Sequence, residues 1–418
     1  MSGSTFTAAQ LAQIHDYNLP RYIFGVVAPV LQVAELAVLC HFAARLHRRV
    51  AVFLRRDEFG AIRWRERRGL RTLAGVLDRL WGDEGWEVAA AYGVTFCAIL
   101  SALHLPQAVY FGLVWERRFG LSSYTNIGFA KDLLKGFFVE SLAFAALSFG
   151  LFGLIRRTRH WWALLGIAGG LLLLISAAAD PLRGRLYFER TPLPSGALRT
   201  ELMSLLQNAQ VDLQNVMVED DSRATRKIDA GFLGQGPTRM LVLSDTLVAR
   251  LAPDEVLAAV AHEAGHVHES RWLPRLGAAG ALLAFLYLTD RLLRFLARTG
   301  KFGMTAPGDI RGLPAVFLMF VILSVLARPA AHAFSRQREA AADAYGLNLT
   351  QDPDAFVRLW IQSAHINKLD PAPPRWVEFL ELDHPSLKAR IAAAQAWESE
   401  HLRESRKIRS TAGAPHTP

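Results

Sequence analysis

Residues 253–268 read PDEVLAAVAHEAGHVH. Pro253 suits a first helical turn, and Asp254 and Glu255 suit the positive end of the helix dipole. An uninterrupted helix is therefore expected, carrying His262, Glu263 and His266 in an H-E-x-x-H pattern. The i, i+4 spacing puts both imidazoles on one face, a turn apart, where two neutral rings can hold Zn²⁺. Glu263, one residue further round, is poorly placed as a ligand and well placed as a general base toward water. Three such positions arise by chance in about one chain of this length in fifty, so the surroundings must carry the reading.

Working outward, the next acid in a suitable context is Glu339, in FSRQREAAADAYG. Two histidines, a glutamate and an open position form a common catalytic zinc set. Asp343 lies i, i+4 from Glu339 and could accept a hydrogen bond from a ligand histidine, fixing its tautomer. Further on, LDHPSLKARIAAA offers His384 and Arg390 as hydrogen-bond donors to a developing oxyanion. His268 and His332 read as bystanders, since three protein ligands suffice.

Around these motifs the 418-residue chain is 51% hydrophobic and 20% charged, which excludes disorder and fibrous repeats. Its two cysteines, Cys40 and Cys97, lie in apolar runs and exclude a disulfide framework. Spanning helices need about 20 mostly apolar residues. Four segments qualify early: Tyr22 to about Ala44, Val88 to about Trp115 with a break near Pro106, Gly136 to Ile155, and Trp161 to about Ala179. Two come late: Leu276 to Leu296, interrupted by Asp290, Arg291 and Arg294, and Leu313 to about Ala327. The first apolar run starts too late and is too long for a cleavable signal peptide. Glu35, His104 and Glu140 fall within these stretches and should face a helix interior or a watery chamber.

The net charge of +9 owes much to residues 45–71, RLHRRVAVFLRRDEFGAIRWRERRGLR. A basic loop beside a membrane span explains it better than nucleic acid, for which no motif is present. Between the fourth and fifth spans, a helical pattern (LRTELMSLLQNAQ) is followed by β-like runs NVMVED and RMLVLSD with GFLGQGP between them. The expected fold is mainly α: a polytopic membrane helix bundle of about six spans with a small α+β zinc metallopeptidase domain at the membrane boundary. The expected organisation is a membrane domain at 1–181 containing four spans and the basic loop 45–71, and a first catalytic part at 182–272. Two further spans come next at 273–334, then a second catalytic part at 335–399 and a disordered tail at 400–418.

These motifs resemble the integral-membrane zinc metallopeptidases of the CAAX prenyl endopeptidase type, over about residues 20–395. The resemblance implies His262 and His266 as ligands and Glu263 as base, from HEAGH. It implies Glu339 as third ligand and Asp343 behind the metal, from SRQREAAAD, which is similar to the family's S-R-x-x-E-x-x-A-D box. HPSLKAR resembles an H-P-x-x-x-x-R element, implying His384 and Arg390 near the scissile carbonyl. LPQAVYFGLVWERRFGLSSYT (105–125) and VMVEDDSRATRKIDAGFLGQGPTRMLVLSDTLV (216–248) look like its juxtamembrane loop and the strands before the catalytic helix. Where the family usually has Asn-Ala in the strand that pairs with substrate, this chain has Asp229-Ala230.

The function these features imply is that of a zinc endopeptidase with one Zn²⁺ per chain, embedded in the lipid bilayer. Its expected substrates are membrane-associated or C-terminally prenylated proteins, with no nucleic-acid partner. Alternatives are a quality-control protease of the heat-shock membrane type, or a non-enzymatic scaffold keeping a relic zinc site. Orientation carries a conflict. The basic loop should be cytoplasmic, and four spans would then put residues 182–272 on the opposite side, whereas the resemblance implies a cytoplasmic catalytic domain. A partly inserted segment near 69–86 would reconcile the two, and the cytoplasmic side is the expectation.

Overall fold

The computed structural model describes residues 6–55, 85–175, 187–270 and 272–412. Most of the basic stretch after Arg55, the segment expected near 69–86 and the end of the fourth apolar run fall outside the described residues.

Among the described residues, six apolar helices form the membrane part. They are α1 (Ala8–Arg55), α2 (Trp86–Val109), α3 (Asn126–Arg157), α4 (Trp161–Ile175), α8 (Trp272–Thr299) and α9 (Leu313–Thr350). All but α4 are long and apolar enough to cross a membrane. Residues 45–55 continue α1 rather than entering a loop. The chain also does not break at Pro106. It passes through that residue in α2 and changes to one π-helical turn at Tyr110–Trp115 before a last turn at Glu116–Arg118. The short α4 lies against α8 through glycines: a Cβ at Gly166 or Gly169 would fall within 2.7 Å of Leu283 or Leu282 side-chain atoms. The polar interruption of α8 satisfies itself. Asp290, fully buried, accepts from Trp161 Nε1 (2.9 Å) and Arg294 Nε (2.8 Å).

The catalytic part has its own core, in which Leu202, Leu206, Val216, Leu241, Leu243 and Phe356 are buried. Each such side chain contributes about 1.5–3 kcal/mol of transfer free energy. Its sheet comprises β1 (Arg190–Pro192), β2 (Asn215–Glu219), β3 (Ala230–Leu233) and β4 (Met240–Ser244), in the order β1-β2-β4-β3. Only β2–β4 is parallel. The edge strand β3 stands where an edge strand around 229–233 is expected from the Asp229-Ala230 resemblance, although GFLGQGP is rich in turn residues.

Around the sheet stand α5 (Ala197–Asn208), α6 (Asp245–Arg250), α7 (Pro253–His268), α10 (Pro353–Asn367), α11 (Arg375–Leu380) and α12 (Leu387–Ala412). Helix α12 runs past residue 400, where the sequence suggests a disordered tail. HLRESRKIR, rich in good helix formers, extends it to Ala412.

The two parts are joined through α1, whose first turns reach the catalytic side. Asn18 Nδ2 donates to Lys368 O (2.7 Å), and Tyr17 O–H donates to Glu116 Oε1 (2.6 Å). Glu116 also pairs with Arg21 (2.9 Å) and Lys227 (3.0 Å), tying two membrane helices to the segment that leads into β3.

Candidate metal centre

Helix α7 forms as its sequence predicts. Pro253 occupies its first turn and Glu255 Oε2 accepts from the Ala252 N–H (2.9 Å). Its apolar face is buried in the catalytic core, so the histidine face is fixed toward α9. The decisive contact is the close crossing of α7 and α9 at small residues. A Cβ on Gly265 would lie 2.8 Å from Ala342 Cα, and one on Gly346 would lie 3.0 Å from His262 N. This approach brings one ligand atom each of His262, His266 and Glu339 within 4.8 Å of one another.

The individual bonds orient these atoms. His262 Nδ1 lies 2.8 Å from Asp343 Oδ1, leaving Nε2 to face Glu339 Oε2 at 3.4 Å. His266 Nδ1 lies 2.7 Å from Glu269 Oε1, leaving Nε2 to face Glu339 Oε1 at 3.3 Å. In each ring one nitrogen is engaged by a carboxylate and the other points at the shared centre, the arrangement that raises an imidazole's basicity toward a metal. Glu339 Oε2 is buried without a hydrogen-bond donor among the described residues. An orphaned carboxylate oxygen costs free energy in a protein interior unless something else satisfies it. With two free imidazole nitrogens it makes a donor set that fits a divalent ion of the zinc type.

Glu263 lies on the cleft side of α7, with Oε2 4.0 Å from where a Cβ on Gly231 of β3 would be. Burial pushes its carboxyl up from the ordinary value, and the positive sides of His262 and His266 pull it back. Such a group suits proton acceptance followed by donation. The cleft in front of it has a volume of about 390 Å³ and is lined by Asp229, Ala230, His262, Glu263, His384 and Arg390, among others. His384 is exposed on its rim, with Nδ1 2.7 Å from Asp383 Oδ1 and Nε2 3.4 Å from Glu339 Oε1. It can therefore reach an oxygen bound at the centre.

Arg390 is differently placed from the expectation of an oxyanion donor. It is buried, its Nε and Nη2 donate to both Asp343 oxygens (2.7 and 2.6 Å), and its guanidinium lies 3.5 Å from the Trp360 ring centre. This fork onto one carboxylate holds Asp343 against His262.

Sequence reasoning misses two groups, Glu269 behind His266 and Arg338, which donates to Glu269. The available signal is the i, i+3 spacing of Glu269 from His266 at the end of α7. His268 and His332 stay outside the cluster; His268 Nε2 instead contacts Ala209 O (2.7 Å).

Within the helices lies a second, larger cavity of about 1010 Å³, lined by Phe137, Phe144, Phe317 and Phe320 and by the polar His104 and Glu140. His104 Nε2 lies 3.1 Å from Glu35 Oε2. The intramembrane polar residues thus face an internal space and each other, as their cost in lipid requires.

Comparison with known proteins gives a consistent picture. A profile described as peptidase family M48 matches residues 192–398. One described as CAAX prenyl protease N-terminal, five membrane helices, matches residues 3–179. The chain is similar to YhfN of Bacillus subtilis (strain 168), named an uncharacterized metalloprotease, with 29% identity over 292 residues, 67% of each chain. It is similar to the CAAX prenyl protease 1 homolog of Arabidopsis thaliana, with 26% identity over 302 residues, 69% of each chain. In fold it is similar to the crystal structure of S. mikatae Ste24p, with a TM-score of 0.62 at 19% identity, covering 93% of this chain and 99% of that one.

Proposed function

We propose, from the premise that this chain belongs to peptidase family M48 and is a multi-pass membrane metalloprotease, that its metal is zinc and that it hydrolyses peptide bonds in membrane-associated or C-terminally prenylated proteins. The observation that carries the metal assignment is the convergence of His262, His266 and Glu339 within 4.8 Å. When bound, zinc supplies Lewis acidity toward the substrate carbonyl and acidifies water.

The chain's own groups do the rest. Among the described residues no strand pairs with the outer edge of β3, so an extended peptide can add beside Ala230 by main-chain hydrogen bonds, bringing its carbonyl in front of Glu263. Glu263 takes the proton of the attacking water and returns it to the leaving amine nitrogen. His384, held by Asp383 on the rim, donates to the carbonyl oxygen as charge develops there. Asp343 and Glu269 keep the two histidine rings aimed, and Arg390 keeps Asp343 in place.

The helical chamber of about 1010 Å³, with its phenylalanine walls, supports a substrate that carries a lipid or a membrane segment. The resemblance supports a cytoplasmic catalytic face. The test is proteolysis by the full-length protein purified in detergent, with prenylated and unprenylated peptides of one sequence. Cleavage should stop with a chelator and return with Zn²⁺. Glu263→Gln should lower kcat by about 10²–10⁴ while zinc content stays at one per chain. A Glu263→Gln protein as active as the parent would refute the role given to that carboxylate.

A further inference from the structure

Asp229 stands immediately before β3. Its backbone N–H donates to Ser244 Oγ (2.9 Å), and its carbonyl accepts from Ser244 N (2.9 Å). Both of its main-chain groups are thus turned toward β4, so alternation turns those of Ala230 toward the open edge. The Asp229 carboxylate accepts from that outward Ala230 N–H at 3.0 Å. It therefore sits on the strand edge that receives substrate, on the same cleft wall as Glu263. A carboxylate there differs in kind from an amide. It can only accept, and it carries charge.

The rest of the cleft reinforces that charge. Asp370 and Asp383 also line it. Asp370 accepts from Tyr22 O–H (3.3 Å) and Ala372 N–H (3.0 Å), and Asp383 contacts His384. Among the described residues, none of these three aspartates pairs with a lysine or arginine. Arg390 is the one Arg or Lys side chain among the described residues lining the cleft, and its Nε and Nη2 are bonded to Asp343. Two carboxylates without a basic partner among the described residues, Asp229 and Asp370, and a third held by His384 thus face a space of about 390 Å³, large enough for a long side chain.

We propose that this cleft selects peptides bearing a lysine or arginine beside the scissile bond and rejects acidic ones, with Asp229 as the main specificity-determining residue. The inference rests on the peptidase reading above and adds the substrate's charge to it. An incoming ammonium or guanidinium supplies the missing counter-charge through a charge-assisted hydrogen bond. A glutamate in the same place meets like charge, so discrimination comes from repulsion as well as attraction.

The test uses the zinc-loaded, full-length protein in detergent and a set of internally quenched peptides. These are identical except for Lys, Gln or Glu at the residue on either side of the cleaved bond. We expect kcat/KM for the Lys peptide to exceed that for the Glu peptide at least about tenfold at low salt. The ratio should fall as salt rises from about 0.05 to about 0.5 M. Asp229→Asn, which keeps size and an acceptor for Ala230 N–H, should collapse the Lys-to-Glu ratio severalfold, mainly through KM. A merely structural role would lower all peptides in proportion and leave the ratio intact, which overturns the proposal. So does a wild-type ratio near one, or a ratio that salt does not change. If no peptide is cleaved at all, the peptidase reading fails and this inference goes with it. Cleavage without charge preference sinks the inference alone.

Discussion

Replacing Gly265 by alanine tests whether the metal centre depends on the close crossing of α7 and α9. The added Cβ would lie 2.8 Å from Ala342 Cα, 3.0 Å from Ala342 O and 3.1 Å from Ala342 Cβ. All three are backbone or Cβ atoms, so no rotamer change relieves the clash. Restoring a carbon–carbon contact of about 3.5 Å requires the helices to separate by roughly 0.7 Å. Two energetic effects oppose each other in folding. Overpacking costs about 1–3 kcal/mol, while alanine in place of glycine within a helix returns about 1 kcal/mol. The net loss of stability is therefore only about 0–2 kcal/mol. The site is far less tolerant, because metal–ligand distances hold to within about 0.2 Å. A displacement of roughly 0.7 Å carries Glu339 on α9 away from both histidines on α7, and zinc affinity should fall about 10–100-fold. The assay is zinc content by elemental analysis after dialysis against buffered metal, with melting of the protein in detergent alongside. Gly280→Ala is the control, since nothing lies within 4 Å of a Cβ there. A folded Gly265→Ala protein that binds zinc and cleaves peptide like the parent would refute the argument that this helix contact sets the ligand geometry.

Three more outcomes are expected. Glu269→Gln weakens the acceptor on His266 Nδ1 and should cost about 10–100-fold in zinc affinity, read by competition with a fluorescent chelator, with little change in melting. Arg390→Met leaves Asp343 buried without its cation and should cost about 3–5 kcal/mol of stability, read by denaturant unfolding, whereas an oxyanion donor alone would lower kcat and spare stability. For orientation, a cysteine at the exposed Glu201 of the catalytic part should react in intact cells only with membrane-permeant reagent if that part faces the cytoplasm. Labelling by an impermeant reagent would instead favour the charge bias of Arg45, Arg48 and Arg49 at the other end of α1.

How far the sequence is readable depends on where each kind of information resides. The pairing of His262 with His266 is a property of one helix, so the i, i+4 spacing is enough to place both rings on one face. The membrane helices are readable for a similar reason, since length and apolarity are local, although the helix that runs on through Pro106 shows that a proline in such a helix can be absorbed rather than obeyed. Glu339 is different. Seventy-odd residues and two apolar helices separate it from His266, and only the local pattern around it, with Asp343 one turn on, marks it out. What brings it to the histidines is a crossing made by Gly265, Ala342 and Gly346, residues with no chemistry of their own. Glu269 escapes notice because a carboxylate three residues from a histidine is commonplace on helices, and its meaning depends on Arg338 arriving from α9 to hold it. Arg390 reads as facing the substrate because an arginine in a motif suggests charge at work in the open. The burial that turns it inward onto Asp343 comes from Trp360 on α10, which no spacing rule connects to it. Chemistry-bearing residues can thus be nominated by their neighbours in the chain. Whether such a residue meets the substrate or holds another residue still is decided by small and aromatic side chains on helices distant in sequence, so Asp343, one turn from Glu339, can be assigned its positioning role from spacing, whereas those of Glu269 and Arg390 become visible only in three dimensions.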